Sequence, residues 1–235
     1  MHPQSTVGAS TAVLAETALF RNLASDQLDA AVEHVRQKSF PAGAHVVTAD
    51  QPAAVVFVIL SGTVKIEVDQ PDGSNVILAV LGPGDSVGEM SLVDKLTHKA
   101  SVVTIDECTL AWIDRTTFSE FLAMWPQLAS NLAAVLTMRL RIANAQIQSL
   151  ATHDVHGRVA HQLLLFADAY GVDAGNGCTL IPLRLTQGDL ASLVGASRVR
   201  VNQVLSLYKQ RGYIRIHKGY QIAVCNQAAL AARCG

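Results

Sequence analysis

The chain has 235 residues, which is enough for one or two compact domains with a buried core. Half of the residues are hydrophobic, 16% are charged and no apolar run approaches the ~18 residues of a membrane span, so the composition indicates a soluble globular protein and excludes a transmembrane one. The formal net charge of −1 by itself suggests neither an acidic nor a basic partner.

The first residues and the cysteines indicate the compartment. Residues 1–12 are polar and lack the basic and apolar regions of a secretory signal, so we expect a cytoplasmic protein. The four cysteines are scattered without a C-x-x-C pair, which favours reduced thiols over a disulfide framework or a zinc site. They are Cys108, Cys178, Cys225 and Cys234.

The N-terminal half predicts one short helix followed by many strands. Apolar residues at helical spacing between 17 and 35, with Ser25 placed as an N-cap, predict the helix. From 40 to 115 the texture changes to short β-branched runs separated by glycine-containing turns about every ten residues, which is typical of an antiparallel sandwich or roll. The runs are Val55–Leu60, Val64–Val68, Val76–Val80, Ser101–Ile105 and Leu110–Ile113.

A long helix is expected after Trp125, because Pro126 suits a first helical turn and neither Gly nor Pro recurs before Gly157. Its apolar positions alternate in steps of four and three, the spacing of a two-stranded coiled coil, so we expect a symmetric dimer. The alternative is that this stripe packs on the β-roll of the same chain. The seam residues are Leu136, Leu140, Ala143, Ile147 and Leu150.

The C-terminal part contains a helix-turn-helix pattern. A further helical pattern runs over 154–170; after it Thr186 opens a short helix, Gly195 ends that helix, and Ser197 caps a longer one. The second helix could enter a DNA major groove with its N-terminal residues at the base edges. The predicted DNA contacts in this motif are Thr186, Ser197, Arg198, Arg200 and Gln203, with Lys209 on the same outer face.

The segment beyond the second helix predicts a β-hairpin over 213–224, which would form a wing. His217 and Lys218 at its tip are placed to touch the DNA backbone. Charge supports this prediction: residues 1–150 sum to −6 and 151–182 to −2, whereas 183–235 sum to +7. A small basic module on an acidic body suits a phosphate backbone, since each Lys or Arg that neutralises a phosphate releases a counterion.

These elements predict an α+β fold with three parts. An antiparallel, jelly-roll-like β-roll sensor domain spans 17–125, a dimerisation helix spans 126–151, and a winged helix-turn-helix DNA-binding domain spans 152–235.

The order of parts resembles the CRP/FNR family of bacterial transcription regulators from Leu19 to Val224. Residues 61–65 resemble the family's strand-turn-strand, and 82–90 its glycine-rich approach to the phosphate-binding cassette. Residues 154–160 resemble the start of its DNA-binding domain, and 185–205 its helix-turn-helix. The resemblance implies a homodimer that binds a pseudo-palindromic promoter site on double-stranded DNA, contacts RNA polymerase, and works without a membrane.

The resemblance also implies an effector pocket, with departures. The cassette keeps Gly88 and Glu89, but where cyclic-nucleotide-binding members have Arg and then Ser or Thr, this chain has His98 and Lys99. On the long helix, the family's Thr-Ser pair is replaced by Ala143 and Asn144. Loss of the Arg fork weakens recognition of a cyclic phosphate. We therefore expect a doubtful cAMP response, no required cofactor, and room for another nucleotide or small effector, with Asn144 reading a purine edge.

Other branches of the family fit less well. Oxygen-sensing members carry an N-terminal cysteine cluster, and residues 1–107 contain no cysteine. His2 and His98 could ligate haem only as lone histidines, which usually have ordinary roles. In the recognition helix, Val199 follows Arg198 where many members have Glu, so the family's best-known half-site does not carry over.

The sequence can also be compared with two other classes of function. An enzyme is not expected, because the sequence lacks the His-x-His metal motif of cupins, a nucleophile elbow and a Walker loop, and no metal site is predicted. A cyclic-nucleotide-binding module that regulates a protein partner without DNA remains as the alternative, and the basic winged segment argues against it.

Overall fold

A computed structural model describes residues 10–52, 54–71, 75–90, 97–217 and 219–234. These residues divide into two compact units, one containing 10–69 and 79–141 and the other containing 70–78 and 142–234.

Two helices open the first unit. Helix α1 is Thr11–Ala15 and helix α2 is Ser25–His34. The predicted cap at Ser25 is wrong by one residue, because Ala24 occupies the N-cap position and Ser25 begins the helix. The Ala24 N–H donates to Gln27 Oε1 at 3.1 Å, so a side chain inside the first turn satisfies the end of the helix.

The β-roll consists of two four-stranded sheets, with orders β1-β8-β3-β6 and β2-β7-β4-β5. Each of the five predicted runs corresponds to a strand, with Ile105 falling just outside β7, but β1, β2 and β6 were not predicted. Strand β1 is rich in polar residues, and its pairing with β8 defines it as a strand. The strands are β1 Arg36–Phe40, β2 His45–Val47, β3 Val55–Ser61, β4 Val64–Asp69, β5 Asn75–Leu81, β6 Ser86–Val87, β7 Ser101–Thr104 and β8 Cys108–Asp114.

Among its described residues, the roll has two clusters of buried apolar side chains. One cluster includes Phe57, Ile59, Val87 and Leu110 and fills the roll. The other joins β3 and β8 to the surrounding helices, and its members include Phe20, Leu28, Val56, Ile113, Phe118 and Leu128. The helices therefore bury the apolar surface that the sheet leaves uncovered.

Helix α3, Arg115–Met124, was not predicted and leads into the long helix α4, Pro126–Thr152, which confirms the predicted long helix. Asp114 caps α3, and its Oδ1 accepts a hydrogen bond from the Thr117 N–H at 3.0 Å. Among the described residues, no single helix is long and apolar enough to cross a membrane; α3 and α4 pass that test only as a pair, bent by 110°.

The second unit contains a helical cluster on a small sheet of order β11-β12-β10-β9. The predicted helix over 154–170, the two helices of the helix-turn-helix and the wing hairpin are all present. The elements are α5 Val155–Tyr170, β9 Val172–Asp173, β10 Thr179–Ile181, α6 Gln187–Val194, α7 Arg198–Gln210, β11 Ile214–Ile216, β12 Ile222–Val224 and α8 Gln227–Ala231.

The cysteine prediction is wrong for one pair. Cys178 and Cys225 form a disulfide bond, whereas Cys108 and Cys234 are free. The pairing could not be read from spacing, because the two residues are 47 positions apart and come together only when β10 pairs with β12.

Candidate functional site

The turn between α6 and α7 is fixed by a capping box and a glycine. Thr186 caps α6: its Oγ1 accepts the Asp189 N–H at 3.1 Å, and its own N–H donates to Asp189 Oδ2 at 3.1 Å. Gly195 ends the helix in the left-handed conformation, with φ 63° and ψ 48°. These contacts set the angle at which α7 leaves the turn.

One face of each helix is buried, which holds the pair together as a unit. The buried apolar residues occupy the positions that the sequence predicts for this contact. They are Leu190, Leu193, Val194, Val201, Val204 and Leu205. Because these side chains fill the interior, the opposite face of α7 is free to carry polar groups.

The outer face of α7 presents the predicted contact residues to solvent. Ser197, Arg198, Arg200 and Gln203 are all exposed. Ser197 Oγ accepts the Arg200 N–H at 3.3 Å, so this hydroxyl also caps the helix. Arg200 Nη1 donates to Gln203 Oε1 at 3.2 Å, which orients two neighbouring polar side chains on one surface. Val199 lies among them and is 69% exposed. Its apolar side chain is of the kind that can contact a thymine methyl group.

The wing is an antiparallel hairpin of β11 and β12, as predicted. His217 is exposed beyond β11, and its N–H donates to the Gln221 carbonyl oxygen at 2.8 Å. Gly219 and Tyr220 both have positive φ, 81° and 67°, which the tight connection requires. Lys218 lies outside the described residues.

Two side chains that sequence reasoning missed brace the helix-turn-helix. Gln146 Nε2 on α4 donates to the Leu193 carbonyl oxygen at 3.0 Å, and Arg158 Nη2 on α5 donates to the Gly195 carbonyl oxygen at 3.2 Å. Both carbonyls lie at the C-terminal end of α6, where backbone acceptors lack helical partners. No local sequence motif predicts such contacts, because they depend on how three helices pack together.

The candidate effector site in the roll is centred on Gly88 and Glu89. Gly88 has φ +94°, and a Cβ atom there would lie 2.7 Å from the Val55 carbonyl oxygen, so only glycine fits. Glu89 is completely buried, and its Oε1 lies 3.0 Å from Arg139 Nη1. Arg139 also donates from Nη2 to the Ser86 carbonyl oxygen.

Burial raises the pKa of Glu89, and the Arg139 guanidinium opposes this rise. Within the described part of the chain, neither carboxylate oxygen of Glu89 has a hydrogen-bond partner of normal geometry. The site therefore contains a buried carboxylate that is paired with Arg139 and has capacity to accept a further hydrogen bond from a hydroxyl or amine donor.

Arg139 was missed by sequence reasoning. It lies one helical turn before Ala143, a position at which a basic residue can face the cassette from α4. The available signal was a pair of arginines, Arg139 and Arg141, which are the only charged residues in the sequence of this helix.

Two of the other predicted effector residues, His98 and Lys99, make no hydrogen bond or ion pair with Glu89 within the described residues. His98 is buried, which lowers its pKa, and its backbone pairs with Asp50 and Gln51. Lys99 and Asn144 are exposed. The structure thus brings together Gly88, Glu89 and an arginine outside the cassette.

Comparison with known proteins covers both units. Residues 37–124 match the cyclic nucleotide-binding domain family, and residues 157–233 match the Crp-like helix-turn-helix domain family. The chain is 34% identical over 221 residues to a CRP-like cAMP-activated global transcriptional regulator of Mycobacterium tuberculosis, covering 94% of this chain and 98% of the relative. It is 30% identical over 203 residues to the cyclic AMP receptor protein of Thermus thermophilus, covering 86% and 89%.

A solved structure shares the fold. FixK2 from Bradyrhizobium japonicum superimposes with a TM-score of 0.76 at 22% identity, covering 86% of this chain and 98% of that one. The alternative of a module that acts on a protein partner without DNA is not favoured, because the C-terminal match is to a DNA-binding domain family. With a relative this similar along nearly its whole length, the chain belongs to the CRP/FNR family of bacterial transcription regulators and is a DNA-binding regulator.

Proposed function

We propose that the chain acts in the cytoplasm as a homodimer paired through α4. Support comes from the exposure of the predicted seam: Leu140 is 62% and Ile147 65% exposed, and Ala143 is exposed between them. Contiguous apolar groups of this size on a helix face are usually covered by a partner. Leu136 is the exception, because it also packs against the core of the roll. In this proposal the stripe has both predicted roles: Leu136 packs on the roll, and the exposed positions pair with the second copy.

The same dimer presents two copies of α7 to DNA. In this proposal the paired helices set the spacing of two winged heads, which enter successive major grooves of a pseudo-palindromic site about one helical turn apart. Arg198 reads a guanine with its planar fork, and Arg200 and Gln203 act as one hydrogen-bonded pair at the neighbouring base or phosphate. Thr186, Ser197, His217 and Lys218 contact the backbone, and RNA polymerase is the protein partner at the promoter.

The observation that carries the DNA-contact proposal is the solvent-exposed polar face of α7, which lies within the segment 183–235 of formal charge +7. Arg198→Ala should weaken binding to the best duplex recovered by in vitro selection by about 1–3 kcal/mol and flatten preference at one base position. Lys218→Ala should weaken all duplexes alike. A salt titration should give a steep negative slope of log K against log salt. A flat slope, or unchanged base preference in Arg198→Ala, contradicts the proposal.

We propose, second, that Glu89 binds the hydroxyl groups of a small effector in the roll. Its carboxylate is buried and paired with Arg139, and among the described residues its oxygens lack a hydrogen bond of normal geometry, so a ligand hydroxyl could donate to them. The relatives named above as cAMP-activated or as a cyclic AMP receptor make cAMP the first ligand to test. We expect its affinity to be weak, because Arg139 is committed to Glu89 and Ser86, and burial favours a neutral His98.

Calorimetry on the full chain tests the effector proposal. We expect cAMP to bind more weakly than micromolar, and a ligand identified from the purified protein to lose affinity in Glu89→Ala. Micromolar cAMP affinity together with a cAMP-dependent gain in DNA binding would overturn the expectation about cAMP. Effector binding in the roll would change the relative orientation of the two winged heads through a population shift. Such a shift requires the ligand to bind one arrangement of the heads more tightly than the other.

A further inference from the structure

Two cysteines terminate neighbouring strands of the small sheet. Strands β10 and β12 pair in the register Thr179 with Val224, and Cys178 and Cys225 occupy the next position of each strand. Their Cα atoms are 4.1 Å apart. Two cysteines this close are within reach of each other for a disulfide bond, which Cα atoms more than about 7 Å apart are not.

The bond encloses the complete DNA-binding motif. The two cysteines are 47 positions apart, and the segment between them contains α6, α7 and β11, so the disulfide closes a loop around the whole helix-turn-helix. One end of the loop is tied to the exit of α7, because the N–H groups of Cys225 and Asn226 both donate to the Tyr213 carbonyl oxygen. At the other end, the Cys178 N–H donates to the Gly175 carbonyl oxygen at 3.1 Å.

Closing a loop of this length restricts the unfolded chain, and long loops gain most from such a restriction. A disulfide in a protein of the reducing cytoplasm is usually redox-responsive rather than permanent. We propose that Cys178 and Cys225 form a reversible redox staple that sets the thermal stability of the DNA-binding unit, and hence the temperature range over which this regulator binds DNA. The assignment to the cytoplasm rests on the proposed function, whereas the pairing of Cys178 with Cys225 does not depend on it.

The chemical step needs a peroxide as oxidant. Cys225 is partly exposed and Cys178 is 5% exposed, so the Cys225 thiolate meets the peroxide first. Its attack breaks the O–O bond, leaves Cys225 as a sulfenic acid and releases hydroxide. The Cys178 thiolate then attacks that sulfur, the S–O bond breaks, and the disulfide forms. Two thiols are oxidised and one hydrogen peroxide is reduced to two waters.

The two free cysteines serve as internal standards. Cys108 is fully buried, and burial raises its pKa to about 11; burial also raises the pKa of Cys234. A thiol with a raised pKa is a poor nucleophile near neutral pH. Mild peroxide should therefore oxidise Cys178 and Cys225 and spare the other two.

The test compares two forms of the full-length protein. One form is reduced with a phosphine, and the other is reduced in the same way and then reoxidised with hydrogen peroxide. Denatured samples should give four titratable thiols when reduced and two when reoxidised, with a Cys178–Cys225 peptide in the digest. Reduction should lower the melting temperature of the DNA-binding unit by about 10 °C. Between the two melting temperatures, affinity for a selected duplex should fall at least tenfold in the reduced form and persist in the oxidised form.

Variants locate the effect. Cys225→Ser should abolish the response to peroxide, whereas Cys234→Ser should keep it. Four thiols after peroxide, equal melting temperatures of the two wild-type forms, or a response that survives in Cys225→Ser would each overturn the proposal. Because the thiol count and the melting curves need no DNA, their outcome is independent of whether the selected duplex is bound.

Discussion

The roll differs from the second unit, here called the winged unit, in the environment of the charged residues at its candidate site. In the roll, the Glu89 carboxylate is completely buried and its charge is compensated by Arg139 of the same chain. In the winged unit, Arg198 and Arg200 stand in solvent on the face of α7. A buried charge must be compensated before any ligand arrives, whereas an exposed arginine stays hydrated until a phosphate or base replaces water. The environment of Glu89 is therefore sensitive to changes in packing, whereas the exposed face of α7 tolerates them.

The prediction with the largest expected effect concerns Gly88, the backbone position next to Glu89. Gly88→Ala should destabilise the roll by about 3 kcal/mol, because alanine disfavours φ +94° and its Cβ would lie 2.7 Å from a backbone oxygen. Gly84→Ala is a matched control, with φ +91° but open space around the added atom, so only the conformational cost of about 1–2 kcal/mol applies. Urea unfolding of both variants measures the difference; equal losses would remove close approach as the reason for Gly88.

The contrast also explains what the sequence could reveal. The winged unit was predictable because its signals are local: a capping box at Thr186, a glycine at 195 and a cluster of basic residues. The roll was predictable as a fold from its β-branched runs and turns. The partner of Glu89 was not predictable, because Arg139 is fifty positions away and reaches it only through tertiary packing. The disulfide between Cys178 and Cys225 escaped for the same reason.

A second prediction concerns the buried carboxylate itself. Glu89→Gln should gain stability relative to wild type as pH rises, since a neutral amide replaces a carboxylate whose ionised form is disfavoured by burial. The native pKa of Glu89 is raised above its unfolded value of 4.5, so the native state holds the proton more tightly. Its stabilising contribution is complete below the unfolded pKa and is lost as pH rises through the native pKa.

The pH dependence separates charge burial from shape. The stability difference between Glu89→Gln and wild type should therefore widen as pH increases from 4.5 to 8, measured by urea unfolding at each pH. A difference that does not change with pH would mean that the ionised carboxylate is not the costly group. An equivalent change in the exposed unit, Arg198→Gln, should leave stability nearly unchanged over the same range.

A third prediction probes the winged unit through its cap. Thr186→Ala removes the hydroxyl that accepts the Asp189 N–H, and should cost about 1 kcal/mol of stability. Ser206→Ala on the exposed face of α7 is the control and should be neutral or slightly stabilising, because alanine is the better helix former. Thermal unfolding of the two variants in parallel gives the comparison. If both variants melt alike, the capping box does not set the start of α6.

The smallest effect tests how the winged unit is braced. Gln146→Ala should cost about 0.5–1.5 kcal/mol, because the Leu193 carbonyl loses its 3.0 Å donor at the end of α6. Gln148→Ala changes the same residue type on the same helix at an exposed position and should cost nothing measurable. Hydrogen exchange should report the loss locally, as faster exchange of α6 amides with α7 amides unchanged. Uniformly faster exchange in both helices would mean instead that α6 and α7 open as one unit, and the bracing contact would not be local to the turn.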